Sequence, residues 1–160
     1  MRKFERISFD QFKKDVNDDI DLYNSIKLPT RSTKSSAGYD IRSIESGIIK
    51  PNKAKSFKTG LKVCMNEDEV LYIYSRSSQG YKYNVCLMNS VGVIDSDFYN
   101  NKNNEGHFQI RLLNLGDKDF EVNIGDRIAQ GVFMKYLTVD DEDEILNERI
   151  GGLGSTNKEE

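Results

Sequence analysis

Histidine is almost absent from this chain: His107 is the only one. A Ser-His-Asp triad or a histidine-rich metal site is therefore close to excluded. Cysteine is nearly as scarce. Cys64 and Cys86 lie in apolar, strand-like stretches with no CxxC, which reads as buried free thiols in a reducing compartment. Positive charge is not in excess. The formal net charge is −3, whereas a domain that grips polymeric nucleic acid is more often basic. A small anionic ligand stays open, because local arginines and backbone amides can offset a global negative charge. No stretch approaches the roughly 18 apolar residues of a membrane span. The start Met1-Arg2-Lys3-Phe4-Glu5 leads into charge and not into a signal peptide. The expectation is a soluble, cytoplasmic protein without a direct nucleic-acid or membrane partner. Also missing is the GxxxxGK[ST] pattern of a P-loop. After Asp21 no stretch carries a convincing 3.6-residue period, so the crossover helices of a parallel α/β fold are not expected.

What is present is strand-like. With 160 residues, 37% of them hydrophobic, the chain can bury the core of one domain. Three regions are expected: a helical extension over residues 1–25, a β-barrel over 26–138, and an acidic linker with a glycine-rich arm over 139–160. Ser8 and Gln11 form a capping-box pattern, and Phe9, Phe12, Val16 and Ile20 follow at near-helical spacing. This predicts one short amphipathic helix, either covering apolar surface or serving as an interaction helix. Ile26-Lys27-Leu28-Pro29 reads as a first edge strand, because Pro29 would spoil a central one. Residues 30–36 read as a loop. From Gly47 onward the period is two. Strands are expected over 47–51, 55–65, 69–76, 85–88 and 91–94, around Phe108, Ile110 and Leu112, over 120–124, and over 128–136. Many short strands joined by Gly, Asn and Asp turns predict an all-β sandwich or barrel.

Polar clusters punctuate these strands. Gly92-Val93-Ile94-Asp95-Ser96-Asp97-Phe98 ends an apolar run in two carboxylates and a ring, with Asn89 just before it. Ala37-Gly38-Tyr39-Asp40-Ile41 puts a carboxylate at a strand start. Arg76-Ser77-Ser78 ends a strand, and Asp126-Arg127-Ile128-Ala129-Gln130 begins one. Arg149 and Gly151-Gly152-Leu153-Gly154-Ser155-Thr156 form a tail that is either a frayed end or a closing arm. Guanidinium forks, hydroxyls and glycine-exposed amides are what a polyphosphate requires. Asp95 could accept a proton from a water attacking phosphorus, a general-base role worth roughly 10²–10⁴-fold. Asp40 or Asp97 could hold waters on a Mg²⁺ bridging phosphate oxygens. The residues alone point to metal-assisted hydrolysis of a nucleotide-like anion.

Taken together and in order, these five clusters resemble the motifs of the homotrimeric dUTPases, over about residues 26–156. The resemblance implies a jelly-roll-like β-barrel subunit with a mobile C-terminal arm, assembled as a homotrimer whose active sites draw on several subunits. It implies Mg²⁺-dependent cleavage of dUTP to dUMP and pyrophosphate. Asp95 would activate the water that attacks the α-phosphorus. Asn89, Gly92, Val93 and Ile94 would read uracil, and Phe98 would pack on the deoxyribose. Arg76, Ser77, Ser78, Gln130, Arg149, Gly154, Ser155 and Thr156 would hold the triphosphate, with Leu153 in the lid. Asp40 would support the metal through water, and Asp97 would hold its turn.

The chain departs from the family pattern in four places. Ser78 replaces a glycine, Phe98 a tyrosine, and Leu153 the lid phenylalanine. Arg149 stands one residue nearer the glycines than usual. The polar stretch 100–107 is longer than the family's plain turn and resembles the phage branch, some of whose members bind a repressor protein. A phage-encoded member would work in the host cytoplasm. The alternative expectation is a same-fold regulator that binds a transcriptional repressor, with or without catalysis, through a surface that includes this loop.

Overall fold

The computed structural model describes residues 1–142, 149, 151 and 152. Among these are twelve strands, three short α-helices and one 3-10 turn. The strands are β1 (Lys3–Arg6), β2 (Thr30–Arg31), β3 (Tyr39–Arg42), β4 (Gly47–Ile49), β5 (Ala54–Lys58) and β6 (Leu61–Cys64). They continue as β7 (Glu69–Tyr74), β8 (Val85–Leu87), β9 (Gly92–Asp95), β10 (Gln109–Asn114), β11 (Phe120–Val122) and β12 (Arg127–Lys135). The sheets are β1-β6, β5-β10-β8, β11-β4 and β2-β3-β12-β7-β9, every pairing antiparallel. Among the described residues only β2 and β3 are both consecutive and paired, so nearly every ladder closes a long loop in the manner of a jelly roll. The inward positions of all four sheets meet in one cluster that includes Ile41, Phe57, Leu71, Ile110, Leu112 and Ile128. The expected all-β class and jelly-roll-like architecture therefore hold.

Several local expectations need correction. The N-terminal helix is two helices, α1 (Phe9–Asp15) and α2 (Ile20–Ser25). Ser8 caps the first as its sequence pattern predicts, but the Asp19 side chain accepts from Leu22 N and starts a new helix. Before them Lys3–Arg6 pairs with β6, a strand that the charged start concealed. Ile7 and Phe12 are fully buried in the common core. The segment Ile26-Lys27-Leu28-Pro29 is not a strand. Ile26 caps α2, and its carbonyl accepts from the Arg6 guanidinium, so pairing begins only at Thr30. The predicted strand over 55–65 breaks at Thr59-Gly60, where Gly60 takes φ +68° and the chain leaves the β5-β10 ladder to pair with β1 as β6. A third helix, α3 (Ser77–Tyr83), was not expected. It is too short to show a period, but the Gln79 side chain reaches back and accepts the Arg76 amide at 3.2 Å. Both cysteines are half-buried and not fully buried.

Candidate active site

The stretch that ends in Asp95 is built as an edge. β9 pairs with β7 and sets Asp95 opposite Val70 and Gly92 opposite Ile73. Ile94 points into the core, which aims its neighbours Val93 and Asp95 outward. A one-turn 3-10 helix, Ser96–Phe98, follows immediately and brings the Phe98 ring back beside the strand. Between this corner and β10 lies a cavity of about 380 Å³. Asn89, Gly92, Val93, Ile94, Asp95 and Phe98 all line it. The predicted water-activating and base-reading residues thus converge. Four side chains of the same wall, those of Asn103, Asn104, His107 and Arg111, were not anticipated. No local pattern marks them: Asn103, Asn104 and His107 are placed by how the loop before β10 folds back, and Arg111 stands on β10 itself.

Arg149 is planted on this corner. Its Nη2 donates to Asp95 Oδ2 at 2.5 Å and its Nε to Asp97 Oδ1 at 2.6 Å. Asp97, expected to hold the turn, lies within the 3-10 turn and takes part in this ion pair. Leu153, Gly154, Ser155 and Thr156 lie outside the described residues.

The other predicted cluster gathers on Asp40. Arg76 Nε and Arg127 Nη1 each donate to it at 3.1 Å, and Ser32 Oγ at 2.9 Å. Burial pushes the Asp40 carboxyl up, but the Ser32 bond and the two guanidinium groups outweigh it and hold the group below the usual carboxylate range. Gln130 lies opposite Asp40 across the β3-β12 ladder and donates to the carbonyl of Ser75 at 3.0 Å. Ser77 and Ser78 open α3 beside Arg76. Arg127, already part of the fourth polar cluster, joins this group, as does Ser32, which was not anticipated.

One chain does not bring the two clusters together. Asp40 and Asp95 share the outer face of the five-stranded sheet, but three strand spacings and four residues separate them. At about 4.8 Å per strand and 3.3 Å per residue the gap is roughly 20 Å. The outer face between them carries Tyr72, Tyr74, Val93, Val132 and Met134, of which Val93 is 59% exposed.

Among the described residues no three His, Cys, Asp or Glu side chains form a metal cage. Mg²⁺ commonly keeps most of its waters and binds chiefly through substrate phosphates. An anionic carboxylate already held by two arginines fits such a site only from outside the water shell. No helix of the described residues is long and apolar enough to cross a membrane.

The all-β, jelly-roll-like fold thus sets a cavity with the Asp95 carboxylate in its wall apart from an arginine-rich cluster on Asp40. The dUTPase family profile matches residues 24–157, and the chain belongs to the dUTPase family. It is 48% identical over 132 residues to the deoxyuridine 5'-triphosphate nucleotidohydrolase of Lactococcus lactis, covering 82% of this chain and 88% of that one. The Helicobacter pylori (strain Shi470) enzyme of the same name is 37% identical, over 84% and 92% of the two chains. The crystal structure of dUTPase from Streptococcus mutans matches with a TM-score of 0.71 at 40% identity, over 86% of this chain and 98% of that one. The dUTPase from phage phi11 of S. aureus matches with a TM-score of 0.69 over 92% and 97%, at 20% identity, and so shares the fold.

Proposed function

We propose that the protein hydrolyses dUTP to dUMP and pyrophosphate as a Mg²⁺-dependent homotrimer. The observation that carries this reading is the convergence of Asn89, Gly92, Asp95 and Phe98 on one cavity. Asp95 takes a proton from water as the water oxygen bonds the α-phosphorus, and the bond to the bridging α,β-oxygen breaks to release pyrophosphate. Uracil offers acceptor, donor, acceptor along one edge. Backbone groups at residues 92–94 and the Asn89 amide match it, and cytosine would leave buried polar groups unpaired. The Phe98 ring packs on the sugar and leaves no room for a 2′-hydroxyl. Arg76, Ser77, Ser78 and Gln130 hold the triphosphate, joined by Arg149 once its guanidinium leaves the two carboxylates. Asp40 keeps Arg76 aligned and would hold a bound Mg²⁺ through its waters; the metal would supply charge neutralisation on the phosphates.

The spacing of the clusters supports an assembly of several copies. A single substrate cannot reach across roughly 20 Å of sheet face. A second copy, packed on the apolar outer face, can set its own Asp40–Arg76–Gln130 cluster beside this chain's Asp95. Binding of a repressor is the weaker reading, because the carboxylate that only catalysis needs stands in the cavity. A phage origin is supported by fold likeness alone.

The test is incubation with dUTP, dCTP, dTTP and UTP, with Mg²⁺ or with EDTA, measuring pyrophosphate and ammonia. Pyrophosphate is expected from dUTP alone, only with the metal, and not from Asp95→Ala. Turnover that survives Asp95→Ala removes the base assignment. Ammonia from dCTP would make the protein a deaminase.

A further inference from the structure

The Phe98 ring stands on a turn that barely holds itself. The 3-10 helix Ser96–Phe98 is one turn long, and its closing bond, from the Tyr99 amide to Ser96 O, is 3.4 Å. Short 3-10 turns have poor hydrogen-bond geometry, so flanking anchors must set their direction. Upstream, β9 supplies one through its ladder with β7. Downstream, Asn101 Nδ2 donates to Phe98 O at 2.8 Å. Gly106, at φ +87°, lets the returning loop close on the same carbonyl. A Cβ there would stand 2.6 Å from Phe98 O and 3.1 Å from Tyr99 Cα.

The remaining anchor comes from the start of the chain. Glu5 on β1 and Lys62 on β6 lie directly opposite each other in their ladder, so their side chains share one face. Tyr99 seats on both. Its hydroxyl donates to the Glu5 carboxylate, and the Lys62 ammonium stands 5.3 Å from its ring centroid. Neither partner is loose. Lys3 Nζ donates to Glu5 at 2.9 Å, and Lys62 Nζ is shared between Asn100 Oδ1 at 2.7 Å and Glu105 at 3.2 Å. The bond from Tyr99, ahead of that from Lys3, holds the Glu5 carboxyl below its ordinary value, so the acceptor is ionised at neutral pH. The same bond pushes the Tyr99 phenol up, so the donor keeps its proton.

We propose that Tyr99 is a positioning residue: seated on Glu5 and Lys62, it fixes the turn that carries Phe98 and so tightens the choice of deoxyribose over ribose. Phe98 packs on the common core and also lines the cavity, so a small rotation of its turn changes the room left at the sugar. Tyr99 is not among the cavity-lining residues and acts through its neighbour. The substrate in this inference rests on the dUTPase reading; the socket on Glu5 and Lys62 does not.

The experiment uses the full chain as wild type, Tyr99→Phe, Glu5→Ala, Glu5→Gln and the double variant of Tyr99→Phe with Glu5→Ala, and Lys3→Ala as control. It measures kcat/KM for dUTP and for UTP, and follows hydrogen exchange of the amides of residues 96–101 without substrate. Tyr99→Phe and Glu5→Ala are each expected to lower the dUTP-to-UTP ratio about tenfold and to speed that exchange. The double variant should match either single one, because both remove the same bond. Glu5→Gln keeps an acceptor and should stay within about threefold of wild type. Lys3→Ala should do the same, because it leaves the Tyr99 bond in place. An unchanged ratio in Tyr99→Phe, an equal loss on both nucleotides, or multiplicative effects of the two substitutions would overturn the proposal. If Glu5→Ala lowers the melting temperature, Tyr99→Phe compared with Glu5→Gln decides. If the wild type hydrolyses no dUTP, the function reading fails and exchange at 96–101 alone still decides the socket, which unchanged exchange in Tyr99→Phe would remove.

Discussion

The sole histidine makes a sharp prediction about acid stability. His107 is buried, and its Nε2 accepts the amide of Gly60 at 3.0 Å while Nδ1 meets Asp15 Oδ2 at 2.6 Å. Nε2 must therefore be bare, and the proton sits on Nδ1, donated to Asp15. A second proton would break the Gly60 bond and place charge in the core. Burial pushes the imidazole below its ordinary value; Asp15 opposes this, Lys58 adds to it, and Glu45 opposes it more weakly. The unfolded chain protonates near 6.5 and the folded chain only at lower pH. Stability is thus complete above about pH 6.5 and falls as pH drops toward the folded value, by up to about 1.4 kcal/mol per pH unit. His107→Ala orphans a buried amide, about 1–3 kcal/mol, and opens a cavity, for a total of roughly 2–5 kcal/mol at pH 7.5. His107→Gln keeps an acceptor and should lose less than half of that, while flattening the acid slope. Urea unfolding at fixed protein concentration from pH 5.5 to 7.5, with the imidazole followed by NMR, measures both. An ordinary titration near 6.5 in the folded protein, or a slope that survives His107→Gln, would refute the reasoning.

Asp40→Asn leaves Arg76 and Arg127 without their shared counter-charge and should destabilise the protein by about 1–3 kcal/mol in urea at pH 7. Wild-type stability in this variant would mean that the triad contributes nothing. Because the Asp40 carboxyl is held low, its contribution is present above about pH 3.9 and is lost as pH falls through the folded value. Phe12→Ala removes a fully buried ring packed against Phe9 and Tyr23, and should cost roughly 3–5 kcal/mol. A loss under about 1 kcal/mol would show that α1 adds little to the core.

Local pattern was enough for most of the strands, because a two-residue period is written into each segment. It was enough for the Ser8 cap and for the residues of the cavity corner, which sit within ten positions of one another from Asn89 to Phe98. It was not enough for β1, whose partner β6 lies nearly sixty residues away, or for α3, too short to show a helical period. Nor could it set the two clusters apart. Asp40 and Asp95 belong to one sheet face, and only strand order and register place them at opposite ends of it. The same holds for the loop at 100–107. Its asparagines and glycine read as a solvated turn. Long-range bonds to Ser8, Asp15 and Lys62 turn it into a wall of the cavity. The sequence by itself determined which residues could do the chemistry, because residue type and spacing are local properties. The tertiary structure alone decided which of them meet, because meeting depends on pairings that close long loops.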